Sequence, residues 1–221
     1  MYLHCSLLNY FRDSNTCLAQ LIACNLEQPS SLIATVKYLP MRRIRRSLDR
    51  ESAATLVHAF VTSRMDYGNA LLANAPRTTT DKLQRVLNAA ARVTTGTRKF
   101  DRGLTQILHN DLHWLDVPQR VTFKLCTTVY KCLHGLAPKY LADLCVPVAE
   151  VAGRRQLRSA SRALLDLPRF NMSNYGRRAF SFAGPHTWNS LPDQLRTLVT
   201  LATFKRSLKT FLFEQITHLA H

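Results

Sequence analysis

Carboxylates are scarce in this chain of 221 residues: fourteen Asp and Glu stand against thirty Lys and Arg, for a formal charge of +16. Most of its cations therefore have no acid to pair with, and the surplus favours polyanionic partners through counterion release. Long apolar runs are missing as well. No stretch approaches the roughly 18 residues that span a bilayer. The N-terminal 24 residues have no basic opening and are interrupted by the polar run at 12–16, which argues against a secretory leader. No membrane partner is expected, and the expected location is intracellular, nuclear or cytoplasmic. Six cysteines (Cys5, Cys17, Cys24, Cys126, Cys132, Cys145) contain no CxxC pair, which speaks against a disulfide framework and a zinc knuckle and leaves reduced thiols. His109 and His113 lie four residues apart, without a Cys or carboxylate at convincing ligand spacing. There is no Gly-rich phosphate loop, nucleophile elbow, internal repeat or low-complexity tract, so no cofactor is expected.

What is present is arginine, which supplies 22 of the 30 basic residues. Its planar fork pairs two phosphate oxygens at once. Residues 1–40 are neutral, with Arg12 and Lys37 against Asp13 and Glu27, so the whole excess falls on 41–221. The densest group is Arg154, Arg155, Arg158, Arg162, Arg169, Arg177 and Arg178, opposed by Asp166 alone in a turn-rich segment. Side chains and backbone N–H groups can both meet phosphates there, whereas the bland alternative is a solvated basic loop. Two stripes at helical spacing, Lys82/Arg85/Arg92 and Arg120/Lys124/Lys131, read either as further phosphate contacts or as the wet sides of amphipathic helices. Trp114, Trp188, Tyr67 and Tyr175 could stack on bases. Core anchoring is the commoner use of such rings, and Tyr175, beside Gly176-Arg177-Arg178, is the aromatic that joins the candidate set.

The hydrophobic pattern predicts a mainly α fold: a helical bundle with a small β-hairpin or irregular module near 155–190 and a C-terminal helix. An N-terminal segment, 1–37, is left unplaced. A helical unit over 38–147 starts with Asp49 as cap and continues or restarts to Leu72, before Pro76. A second helix is capped by Thr78 or Thr79 and stopped by Gly96, and a short one covers about 104–108. The next is capped by Asp116, has Pro118 in its first turn, buries Val121, Leu125, Cys126, Val129, Cys132 and Leu133, and ends at Gly135. Pro138 opens one further turn or two. The last part, 148–221, is a basic module with short alternating pieces near 164–170 and 178–183. It closes with a helix over about 201–216, packed on the earlier unit or on the β module.

Four blocks stand in order: SRMDYGNALL (63–72), LQRVLNAAARVTTGTRKFD (83–101), LHWLDVPQRVTFKL (112–125) and YKCLHGLAPKYLADLC (130–145). LRSASRALLDLPRF (157–170), YGRRAFSFAGPHTWNSLP (175–192) and FKRSLKTFLF (204–213) continue the series. Together they resemble the region after the polymerase palm in non-LTR retrotransposon reverse transcriptases of the jockey and CR1-like type. The resemblance implies a thumb and C-terminal extension that grip RNA or DNA by the backbone; a rival reading makes the chain an enzyme subunit, active only with a polymerase palm supplied in trans as partner. Reverse transcription requires palm carboxylates that hold two Mg²⁺ ions, which the family supplies as an adjacent Asp-Asp pair. None of the ten aspartates here adjoins another. The resemblance therefore implies a non-catalytic C-terminal fragment, and the alternative is a relic or domesticated frame acting as a protein-interaction module.

Overall fold

The structure is a computed structural model that describes residues 45–98, 100–151, 162–168 and 176–219. The chain is mainly helical, and the described residues contain no sheet. The expected segment 1–37 lies outside them.

Helix α1, Arg50–Val57, begins where expected: the Asp49 carboxylate accepts from the N–H groups of Glu51 and Ser52 at 3.2 and 3.3 Å. It runs through a widened turn, His58–Thr62, into α2, Ser63–Asp66, and Gly68 at φ 67° then breaks it. Only a residue tolerant of the left-handed region turns the chain so sharply there. A 3₁₀ turn, Asn69–Leu72, leads to α3, Arg77–Thr95. This helix starts ahead of the expected Thr78 or Thr79 cap. The Pro76 carbonyl already accepts from the N–H groups of Thr79 and Thr80, and proline needs no N–H partner of its own. Gly96, at φ 77°, ends it as expected.

The short α4, Leu104–Gln106, widens into a π turn to Asp111. Helix α5, Val117–Leu133, follows with Asp116 at its cap position and a proline in its first turn. The Asp116 carboxylate does not cap it. Gln84, on α3, supplies that bond instead, its Oε1 accepting from the Val117 N–H at 2.9 Å while its Nε2 donates to Asp116 Oδ1 at 2.9 Å. Gly135, at φ 68°, closes α5: the N–H groups of Gly135 and Leu136 reach back to the carbonyls of Cys132 and Lys131. The expected buried face holds, with Val121, Leu125, Cys126, Val129 and Cys132 buried and Leu133 half-buried. Burial pushes the Cys126 thiol up to about 12.

One helical turn, α6, Lys139–Ala142, opens at Pro138. Beyond it, the described residues of the expected β-hairpin or irregular module hold one antiparallel bridge, between Pro147 and Leu165, while 152–161 and 169–175 lie outside the described residues. The Asn189 side-chain amide completes the pairing, accepting from the Leu165 N–H and donating to its carbonyl. The alternation at 178–183 is helical, not extended: a 3₁₀ turn, Gly176–Arg178, enters α7, Phe180–Asn189. A short apolar run fits either period, and Ala183, Gly184, Pro185 and Trp188 bury a helical face that the strand reading omitted. Helix α8, Asp193–Arg196, precedes α9, Leu201–Leu219.

The last helix packs on α5, so the core crosses residue 147. Tyr130 stacks on Phe204 at 4.6 Å between ring centroids, Trp188 lies 5.7 Å from Phe204, and Leu208 and Leu212 extend the contact. Phe204→Ala should cost about 3–5 kcal/mol in urea unfolding, whereas Lys205→Ala, on the exposed side of the same turn, should stay within about 0.5 kcal/mol. At Gly184 an added Cβ would lie 3.0 Å from Phe180 Cε2 and 3.1 Å from Val129 Cγ2. Gly184→Ala is therefore expected to lose about 1–3 kcal/mol by overpacking.

Candidate nucleic-acid interface

Two carboxylates, Asp66 and Asp193, are used within the fold to neutralise particular arginines, which decides which of the cations are committed. Asp66 binds Arg120 through both oxygens, each 2.9 Å from Nη1, and Arg120 Nε donates to the Leu115 carbonyl at 2.8 Å. The Arg120 side chain is only 13% exposed. It does not belong to the wet stripe with Lys124 and Lys131: α2 lies over the first turn of α5 and supplies an acid there, which a helical wheel cannot show. Lys124 is exposed and Lys131 half-buried.

Arg162 is likewise committed. Its guanidinium forks onto Asp193, with Nε 3.0 Å and Nη2 3.1 Å from the two oxygens. Asp193 also accepts from the buried Arg196, whose other donors reach the carbonyls of Arg162, Asn189 and Leu191. Hydrogen bonds from Arg162, with attraction to both arginines, hold the Asp193 carboxyl below its ordinary value. Arg162 thus acts first as a tie between the 162–168 segment and α8, and presents less free charge to a phosphate than its sequence neighbours suggested.

Of the other candidates, Arg154, Arg155, Arg158, Arg169 and Tyr175 lie outside the described residues. Arg85 is exposed and Lys82 half-buried on α3. Arg92 is half-buried, and its Nε is shut from solvent without a hydrogen-bond partner, which makes it the least available of the stripe. Arg177 is exposed and Arg178 half-buried, in the turn that enters α7. Trp114 and Trp188 are core residues, the latter donating to the Ala163 carbonyl at 3.0 Å. His109 lies 3.3 Å from Asp116, and His113 occupies a left-handed turn, so the two do not share a helical face.

Three features were not anticipated from the sequence. Arg45 is a cap supplied from outside the helix, its guanidinium meeting the carbonyls of Val93 and Thr94 at the end of α3 and that of Leu48. Lys205, Arg206 and Lys209 make an exposed basic face on α9, opposite Phe204, Leu208 and Leu212. That face was available from the 3.6 period. Tyr67 is 67% exposed, where a core role is the commoner expectation for such a ring.

A cleft of about 320 Å³ opens between α3, α4 and the start of α5, lined by Thr80, Asp81, Gln84, Asn88, Leu104, Thr105, Leu108, Asp116, Pro118 and Gln119. Two aspartates and no Lys or Arg line it, so it does not suit a phosphate. Positive charge is displayed instead on exposed helix faces and turns, among them Arg85, Lys124, Arg177, Lys205, Arg206 and Lys209.

Because the folded carboxyl of Asp193 titrates below the ordinary aspartate value of about 3.9, its contribution to stability is present above that value and is lost as pH falls through the lower folded one. Wild type should therefore be more stable than Asp193→Asn near neutrality, and the gap should close on acidification below about pH 4. Thermal unfolding of both proteins across that range checks this. Compared with protein-family models, curated proteins and solved structures, the chain shows no match.

Proposed function

We propose that this chain binds RNA or DNA through backbone charge, with little sequence preference, as the non-catalytic C-terminal part of a non-LTR retrotransposon reverse transcriptase. The observation that carries the binding reading is the division of charge. Asp49 caps a helix, and Asp66 and Asp193 are spent on Arg120 and on Arg162 and Arg196, while Glu51, Asp81, Asp111, Asp143, Glu150 and Glu214 are exposed. Arg85, Arg77, Arg177, Lys124, Lys205, Arg206 and Lys209 are exposed, and no carboxylate among the described residues pairs with them. The lineage rests on the ordered sequence blocks, and the non-catalytic reading on the lack of an Asp-Asp pair in the sequence.

A second reading has its own observation. Leu136, Tyr140, Leu144, Val146 and Leu167 are exposed apolar side chains around α6 and the Pro147–Leu165 bridge, and Tyr140 is 70% exposed. Such a group suits a relic or domesticated chain acting as a protein-interaction module. It predicts concentration-dependent association in sedimentation velocity, abolished in Tyr140→Ser.

For the nucleic-acid reading, the affinity for a mixed-sequence RNA should fall linearly on a log–log plot against salt, with a slope of about −0.7 per phosphate neutralised on a single strand. Affinity equal at low and high salt, or no binding at all, would refute it.

A further inference from the structure

The turn between α2 and α3 presents a chain edge with a consistent outward side. Tyr67, Leu71, Asn74 and Arg77 are all exposed, while Ala70, Leu72 and Ala73 pack inward against Val121, Leu125, Phe180 and Ala183. Left-handed residues at both ends, Gly68 at φ 67° and Asn74 at φ 51°, produce that alternation. Asn74 Nδ2 donates to the Arg177 carbonyl at 2.7 Å, which brings Arg177 and Arg178 to this edge from 103 residues away. Arg77 lies three residues from Asn74, within about 11 Å of chain. Three arginines, distant in sequence, thus gather around one turn.

Acid is sparse along this edge, the nearest on α3 being the exposed Asp81, four residues after Arg77. Residues 67–80 and 176–192 contain no Asp or Glu, and the nearby Asp66 is taken by Arg120. No ion pair occupies Arg77, Arg177 or Arg178 among the described residues. Tyr67 and Leu71, at 67% and 66% exposure, leave an aromatic and an aliphatic side chain in water on the same turn that Asn74 ties to Arg177. A duplex keeps its base faces stacked inside, whereas a single strand offers both phosphates and open base faces.

We infer that this edge seats single-stranded nucleic acid, with Arg77, Arg177 and Arg178 on successive phosphates and Tyr67 stacked on a base. The inference rests on the polyanion reading above and narrows it from nucleic acid in general to unpaired strands. Leu71 supports the edge of the stacked base, and Asn74 holds the two arginine-bearing segments in register.

The test is fluorescence anisotropy of the full chain with a short mixed-sequence oligonucleotide, presented single-stranded and annealed to its complement. The single strand should bind more tightly than the duplex. Tyr67→Ala should weaken single-strand binding by roughly 5- to 160-fold, the range for removing one stack, without changing the salt slope, and Tyr67→Phe should restore it. Arg77→Ala and the double variant Arg177→Ala/Arg178→Ala should flatten the salt slope by about 0.7 for each phosphate no longer neutralised. Lys205→Ala/Lys209→Ala, away from this edge, should leave the preference for the single strand intact. Tyr67 is exposed, so an unchanged unfolding midpoint for Tyr67→Ala will show that the fold is kept. Duplex binding as tight as single-strand binding, or full binding by Tyr67→Ala, overturns the inference while leaving the polyanion reading standing. If the wild-type chain binds neither form, the polyanion reading falls and the inference with it.

Discussion

Burial of α5 along its whole length is the constraint on which the rest of the structure depends. Val117, in its first turn, enters the core formed with Val57, Leu87, Leu108 and Trp114. Val121 and Leu125 meet Ala73 and Ala183 in the middle, and Cys126, Val129, Tyr130 and Cys132 join Trp188, Phe204 and Leu208 at the end. One helix thus feeds three clusters in succession, and each cluster recruits a different part of the chain. Tyr130 combines two roles there: its ring stacks on Phe204 while its hydroxyl donates to the carbonyls of Leu198 and Val199, satisfying the backbone just ahead of α9. A buried tyrosine with a partner for its hydroxyl fixes position as well as filling volume.

Polar side chains from elsewhere in the fold complete the helix ends that this packing leaves exposed. Gln84 caps α5 from α3, Arg45 covers the last carbonyls of α3, and Arg196 gathers the carbonyls of Arg162, Asn189 and Leu191. Unpaired groups at helix ends cost stability when buried, so these bonds do for tertiary contacts what local caps do for isolated helices. They also consume charge. Arginine appears both inside, as a multi-carbonyl donor, and outside, as free positive potential, and only the fold separates the two uses.

That separation sets where exposed positive charge lies. With Asp66 and Asp193 engaged and the cleft beside α3 lined by acid and amide, uncommitted cations are left on exposed helix faces and turns. The turn around Asn74 differs from the other basic faces because apolar and aromatic side chains are exposed beside the arginines.

The sequence by itself determined the mainly helical class and most helix limits. Asp49, Gly96, Gly135 and Pro138 act on the backbone locally, and their effect does not wait for a partner. It determined the buried side of α5 and of α9 too, since a 3.6 period is a property of one helix. It also determined the net positive charge. Only the tertiary structure decided which cations are free, because pairing depends on elements that meet in space: Arg120 found Asp66 and Arg162 found Asp193. It turned the 178–183 alternation into helix, since Gly184 lets α7 approach Val129 where a larger residue would not fit. The same approach, through Asn74 and Arg177, placed two distant arginine segments on one edge. Spacing along a chain carries no information about such a meeting.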